Sequence, residues 1–448
     1  MLFPAADGVI RNAIEAIKLL DNQRRKDDAV KRIDFFHDVQ LDHIRAALSE
    51  HFSHPEKLNP LFVNIVKKIV RQLAMVYIRP AVRELDGSDA DQEIFNEIAK
   101  SAQLDIRMKM ANRYGKLLKT VMVRPVWRRG KIDLDILTPE YLDVATGDSP
   151  EDIRAVIVTQ YKDAKRQDEI QYIVWTDSKI KTLDWRYHET KSEPNPYGMI
   201  PYVAVWDRPP TDEFWLTGGD DLMTAQEAIN QRLTDLMYVL RQQGFGVGYT
   251  KGLRAEIDLL EPGVMVNLPA DGDIGFVKPD APIEIALKAI EFIVKQTAIA
   301  NGISASSVSS EVSEESGVAR IVGNRELEEM RADDIELFST YEARLFDVFR
   351  AVWNVHNPGR KLSDAAKFNI DFYDVKPTYA PNEQSAAWNL LVDMGAMSVV
   401  DVAQAMNPDL RTREAAIKYL ETVKEENAAF YESADYPAVP GVKQGAVQ

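Results

Sequence analysis

Apolar positions change period several times along the chain, and the changes mark out its elements. Through the first hundred residues the spacing is helical. Ile10, Ile14, Ile17 and Leu20 share a face, and residues 21–31 form a charged stretch expected to be solvated. Residues 58–78 (LNPLFVNIVKKIVRQLAMVYI) place Phe62, Ile65, Val66, Ile69, Val70, Leu73 and Val76 on one side. Lys67, Lys68 and Arg71 fall opposite, and Pro80 is expected to end that helix. From about Met110 the pattern becomes short, β-branched and aromatic. Strands are predicted over residues 120–127, 132–137, 153–161, 170–175 and 202–206, broken by Gly130, Thr138-Pro139 and a Gly147-to-Pro150 turn cluster.

Helical spacing returns at residues 220–243, with Asp220 as cap and Leu222, Ile229, Leu233, Leu236 and Leu240 as a narrow seam. A seam so narrow packs against neighbouring helices and does not close a core by itself. Residues 244–280 are turn-rich and short-stranded. A second helix, 282–300, carries Ile283, Ala286, Ile290, Ile293 and Thr297 on one face. Two helices flanking a small β tip describe a hairpin-shaped protrusion. The serine-rich stretch 303–316 can bury little apolar surface. A long helix is predicted over 317–356, with Gly323 as a kink. A strand at 368–372 has no local partner and is expected to return to the earlier β region. Helices at 382–394, 398–406 and 412–431 precede a loose tail from Asp435. The fold class is α+β, mostly helical, with no internal repeat.

Composition narrows the function. The 448 residues carry a net charge of −16, against the basic footprint of a protein that grips nucleic acid by neutralising phosphates. That balance leaves an acidic protein without nucleic-acid contact, or a conduit that surrounds DNA without holding it. Cysteine is absent, which removes disulfides, thiolate metal sites and cysteine nucleophiles. No run approaches the roughly 20 apolar residues of a membrane span. Asp7, Arg11, Glu15 and Lys18 interrupt the amino-terminal apolar stretch, so no signal peptide is read there, and a soluble protein without a membrane partner is expected.

Candidate chemistry is sparse. Gly244-Phe-Gly246-Val-Gly248 follows a helix where a dinucleotide fingerprint would follow a strand, and reads as a helix stop. No GxxxxGK[ST] occurs. Asp271-Gly-Asp273 begins like a calcium loop but lacks the later acidic ligands. His51 and His54 have no general base between them. Glu328-Glu329 and Asp333-Asp334 read as a solvated helix face, and no serine sits in a GxSxG elbow. The expectation is a protein that is not an enzyme and has neither cofactor nor catalytic or metal residues.

The order of elements resembles the portal proteins of tailed bacteriophages. The resemblance rests on PNPYGMIPYVAVWDRPP (194–210), the Gly-Gly-Asp-Asp helix containing AQEAINQRLTDLM (225–237), the β tip, and the helix ending TAIANGIS (297–304). The serine loop followed by GVARIVGNRELEEMRADDIELF (317–338) completes it. Portal subunits form rings of about twelve. The resemblance implies a wing over 1–219, stem helices at 220–243 and 282–301, a clip at 244–281 and a tunnel loop at 302–316. A long wing helix with a returning strand would fill 317–380, and a short helical crown with a loose tail 381–448.

It further implies that Ser304, Ser306, Ser307, Ser309, Ser310, Glu311, Ser313, Glu314, Glu315 and Ser316 face DNA in the tunnel. Leu222, Ile229, Leu233, Leu236, Leu240, Ile283, Ile290 and Ile293 would form the stem seam between subunits. Tyr249, Lys251, Arg254, Asp271, Asp273 and Phe276 would dock other proteins at the clip. Implied partners are further copies of the chain, double-stranded DNA without sequence preference, the terminase large subunit, a head-tail adaptor, and the major capsid and scaffolding proteins. The implied location is the virion's portal vertex, with assembly in the host cytoplasm. Another head-tail connector protein is the alternative, ahead of an enzyme acting on nucleic acid.

Overall fold

The computed structural model describes residues 14, 15, 17, 20–51, 59–161, 169–245, 247–251, 272–277, 283–308, 317–373, 381–407, 410 and 412–432. The chain divides into two units, residues 1–313 with 323–374, and residues 314–322 with 375–448. Helices and antiparallel strands mix as the α+β class requires.

In the first unit, α1 (Leu20–Phe36), α2 (Leu41–His51) and α3 (Ile65–Leu73) precede the short strand β1 (Val82–Asp86). Helices α4 (Asp89–Ser101) and α5 (Leu104–Leu118) follow. Ser88 and Asp91 close a reciprocal cap on α4, which satisfies amides at its start. Helix α3 is far shorter than the apolar period of residues 58–78 suggests. Asn64 caps it and it stops at Leu73, well before Pro80. One cause is a competing donor: Arg331 Nε binds the carbonyl of Met75 at 3.1 Å, and Tyr77 turns inward to a buried partner.

Strands β2 (Thr120–Arg128), β3 (Lys131–Leu137) and β9 (Val203–Trp206) form a three-stranded antiparallel sheet in the order β3-β2-β9. Strands β4 (Leu142–Thr146), β5 (Ile153–Tyr161), β6 (Ile170–Trp175), β7 (Lys179–Leu183) and β8 (Glu189–Pro194) form a five-stranded meander. β4, β7 and β8 are strands beyond those predicted from the sequence. β8 is exposed at every position and β7 is only partly covered, so neither carries the inward alternation that marks a strand. Ile17 packs on this sheet against a second, smaller core containing Ile157 and Val174.

The charged stretch 21–31 is not simply solvated. Arg25 and Lys26 both bind the buried Asp143 at the end of the meander, and Arg25 stacks on Trp215 at 4.0 Å. Helix α6 (Asp220–Phe245), strands β10 (Val247–Lys251) and β11 (Asp273–Val277), and helix α7 (Ile283–Ala300) form the helix–tip–helix excursion. Helix α8 (Gly317–His356) continues through Gly323 and buries Phe338, Tyr341, Leu345, Phe349 and Val352 along one face. Forty residues make it about 60 Å long.

β12 (Lys367–Asp371) pairs with β1, not with the larger β region as expected. β1 went unread because its residues, VRELD, alternate without an apolar face. From β1, Arg83 forms a bidentate pair with the buried Glu342 of α8, at 2.7 and 3.0 Å, and binds Asp105 of α5 at 2.6 Å. Tyr77 donates to the same Glu342 at 2.7 Å.

The second unit holds α9 (Pro381–Asp393), α10 (Val399–Met406) and α11 (Arg413–Glu432). Ser398 and Asp401 form a reciprocal cap on α10, and Arg413 ties α11 to it by binding Asp401 at 2.9 Å. These helices match the sequence expectation closely. Among the described residues, no helix is long and apolar enough to cross a membrane.

Candidate functional site: the paired helices and their tip

Helix α6 begins at a fixed point. Gly218 and Gly219 have φ of +127° and +78°, where a side chain is strained. A Cβ on Gly219 would also come within 3.0 Å of Arg32 Nη1. The buried Arg32 binds Asp28, Asp220 and the carbonyls of Leu117 and Gly218, so one guanidinium joins α1, α5 and the start of α6.

A buried polar ladder then runs along the first half of α6. Gln226 Oε1 accepts from the amides of Ile65 at 2.7 Å and Val66 at 3.2 Å, and Asn64 Oδ1 accepts from Lys67 at 2.8 Å. Three amides at the start of α3, which lack intrahelical acceptors, are thereby satisfied. Gln226 Nε2 donates to Asn230, Asn230 to Gln40, and the Thr234 hydroxyl accepts from the amide of Leu61. Leu222, Met223 and Ile229 fill the core beside this ladder.

Much of the apolar seam expected between copies packs within this chain. Leu222, Ile229 and Leu236 are buried in this chain alone, and Leu233, Ile290 and Ile293 are half-buried against its own core. The reason is that α6 packs along both α7 and the helices α2 and α3. Those six side chains pack within their own chain. Ile283 is half-buried, and Leu240 is exposed.

Other residues carry the outward apolar surface. Past Leu236, Met237, Tyr238 and Leu240 all emerge into solvent. On α7, Ile285, Phe292 and Ile299 are 68%, 63% and 50% exposed. They recur every seven residues and share a stripe, with Leu287 exposed beside it. The heptad was legible in the sequence, but the inward set (Ile290, Ile293, Thr297) has helical spacing too and drew the assignment. In the helix pair, the start of α6 is anchored and its own exposed apolar residues lie towards the tip, while the stripe on α7 runs the length of that helix.

At the far end, β10 and β11 pair antiparallel with Lys251 opposite Asp273 and Tyr249 opposite Gly275. Of the expected clip residues, Tyr249, Lys251, Asp273 and Phe276 fall on these strands. Arg254 and Asp271 lie outside the described residues. After α7 the chain turns at Gly302, with φ +69°, where a Cβ would come within 3.1 Å of Met330 and 3.2 Å of Glu326 on α8. Ile303 plugs the core, and a short turn, Ala305–Ser307, gathers the hydroxyls of Ser304, Ser306 and Ser307. Ser309, Ser310, Glu311, Ser313, Glu314, Glu315 and Ser316 lie outside the described residues. Among the described residues, no group of three or more His, Asp or Glu is placed to hold a metal ion.

The family model "Phage portal protein, SPP1 Gp6-like" matches residues 25–398. The chain belongs to that family. The matched span runs from α1 to the threshold of α10, so it contains the whole helix–tip–helix excursion and α8. No curated protein matches the chain. Among solved structures, it is similar to a chain from the virion of the native gene transfer agent particle. Identity is 12% over 76% of this chain and 88% of that one, with a TM-score of 0.39. It is also similar to a chain from the neck of the native particle computed with C12 symmetry. There identity is 11% over 76% and 88% of the two chains, with a TM-score of 0.42.

One acidic pair departs from expectation. Asp334 on α8 is buried, not solvated: Lys116 Nζ lies 2.8 Å from its Oδ1 and 2.9 Å from Asp207 Oδ1. Lys119 takes the other oxygen of Asp207 at 2.8 Å. Burial opposes ionisation at Asp207, but its two lysines outweigh burial and hold its carboxyl below the usual range. Asp334 shares only Lys116, so burial wins, with repulsion from Asp207 and Asp333 adding to it, and its carboxyl is pushed up to about 6.

Proposed function

We propose that the chain is one subunit of a closed ring of about twelve copies, set at a capsid vertex as the channel for DNA packaging and release. In this reading α6 and α7 are the stem, residues 244–281 the clip and 302–316 the tunnel loop. Residues 1–219, with α8 and β12, make the wing, and residues 381–448 the crown and tail. The clip is the docking platform for the terminase and later for the head-tail adaptor. The role is structural, with no bond made or broken.

The observation that carries the reading is the uncovered stripe Ile285, Phe292 and Ile299, together with Met237, Tyr238 and Leu240. Large apolar side chains at this exposure, grouped on one helix pair, mark an interaction surface more than a solvated one. In a ring, each copy covers the stripe of the next.

The acidic charge supports a conduit. A channel whose wall neutralised phosphates would grip DNA in a salt-dependent way and resist its passage. Serines and the glutamates 311, 314 and 315 would keep a polyanion centred by hydration and repulsion. The test is native mass spectrometry of the purified 50.6 kDa chain with end-on imaging. The expected species is near 600 kDa with an axial hole. A chain that stays monomeric at every concentration overturns the reading.

A further inference from the structure

Beside the Lys116 cluster lies a pocket of about 510 Å³. Its wall carries four carboxylates, Asp207, Asp333, Asp334 and Glu336, against two cations, Lys116 and Arg208. Asp334 is 4% exposed, and its Oδ2 has no hydrogen-bond partner among the described residues. A buried carboxylate oxygen left without a donor is costly, and a charged donor relieves the cost. Met330, Leu337 and Pro209 add apolar wall along which an alkyl stem can lie.

We propose that this pocket is a socket for the guanidinium or ammonium of an arginine or lysine carried by a neighbouring copy of the chain. The proposal rests on the ring reading above. Phosphate is repelled by the carboxylate excess. A metal ion meets Lys116 Nζ already seated between Asp207 and Asp334. A cationic side chain fits both the charge and the apolar wall.

A second copy can supply it. Lys67 is paired with Asp38, but Lys68 and Arg71, exposed on α3, have no carboxylate within ion-pair distance among the described residues. Closed rings are built from head-to-tail contacts, in which different patches of one chain meet. Unpaired cations and an unsatisfied carboxylate on one chain are the halves of such a contact.

Asp333 and Glu336 are exposed, so their substitution leaves the folded subunit intact. The experiment compares ring formation against concentration, by native mass spectrometry, for the full chain, Asp333→Lys with Glu336→Lys, and Asp333→Asn with Glu336→Gln. The same charge change at Glu84 and Asp86, exposed on β1, controls for net charge.

The charge-reversed pocket is expected to need about tenfold more protein for half-assembly, with the neutral variant between it and the parent and the β1 control unchanged. Assembly of the reversed variant at the parent concentration overturns the proposal. If the parent itself forms no ring, the ring reading fails, and a titration with propylguanidinium then decides the pocket. Binding by the parent chain alone overturns the neighbouring copy as the source while keeping the cation socket. Absence of binding overturns the socket.

Discussion

Gln226 holds the amino end of a helix it does not belong to. Its Oε1 lies 2.7 Å from the amide of Ile65, which is N1 of α3, and 3.2 Å from that of Val66. One side chain of the outgoing helix α6 thus serves as a cap for α3, and the direction of α6 is fixed by the backbone of another element.

Replacing Gln226 with leucine keeps the volume, strands the buried amide of Val66 together with Asn230, and leaves the Ile65 amide only its bond to the Val63 carbonyl. A loss of about 2 kcal/mol or more is expected, read as a lower urea midpoint with faster hydrogen exchange at Ile65 and Val66. Gln226→Glu keeps the acceptor and places a negative charge at a helix amino terminus, where it is favoured, so its loss is expected to be smaller. Equal midpoints for the leucine variant and the parent would contradict the capping role.

Glu342 satisfies Tyr77 and Arg83 at once, and both lie in the interior. Glu342→Ala leaves a buried guanidinium without its main anion, for an expected cost of about 3–5 kcal/mol. Tyr77→Phe removes one hydrogen bond to a charged acceptor, for about 1.5–3 kcal/mol. Chemical denaturation should rank the two in that order; the reverse order would show that the tyrosine, not the ion pair, organises the site.

Asp334 gives the protein a pH-dependent component with an unusual sign for a paired aspartate. Burial raises its folded carboxyl to about 6, above the ordinary 3.8, so between those values the folded state binds the extra proton. The stability it contributes is fully present below about 3.8 and is lost as pH rises through about 6. Asp334→Asn removes that component. Unfolding midpoints between pH 4 and 7.5 are expected to fall less steeply in the variant, by about 1–3 kcal/mol across the window. Parallel profiles would show that Asp334 is ionised throughout.

Phe292→Ser with Ile285→Ser removes exposed apolar surface that supports nothing in the isolated chain. Thermal melting of the subunit is expected to stay within about 0.5 kcal/mol of the parent. If the stripe is the contact of the proposed ring, ring formation should weaken severalfold or more, since each covered side chain would contribute about 1.5–3 kcal/mol. Rings of undiminished stability would place the subunit contact elsewhere.

Much of this fold is written in local periodicity. The bounds of α6, α7, α8 and the three helices of the second unit follow from apolar spacing and from caps such as Ser398. What periodicity hides is which apolar face turns inward. On α7 both Ile290–Ile293 and Ile285–Phe292–Ile299 satisfy helical spacing, and only packing against α6 decides between them. The polar interior was hidden for a related reason. Arg32, Gln226, Asn230, Asp334 and Glu342 look like surface residues in sequence, and their partners lie far along the chain. The strands β1 and β8 carry no apolar alternation to read.

The pairing of β1 with β12 sets a condition on synthesis. β1 is complete at residue 86, yet the strand that covers it ends at residue 371, beyond the whole α6–α7 excursion. As the nascent chain leaves the ribosome, β1 must wait with open backbone donors and acceptors, a template for pairing with any passing strand. Its exposed Glu84 and Asp86 discourage that, because identical strands approaching in a crowd of nascent chains would bring like charges together. The acidic side chains that conceal this strand from a sequence reader thus also shield it from its own siblings.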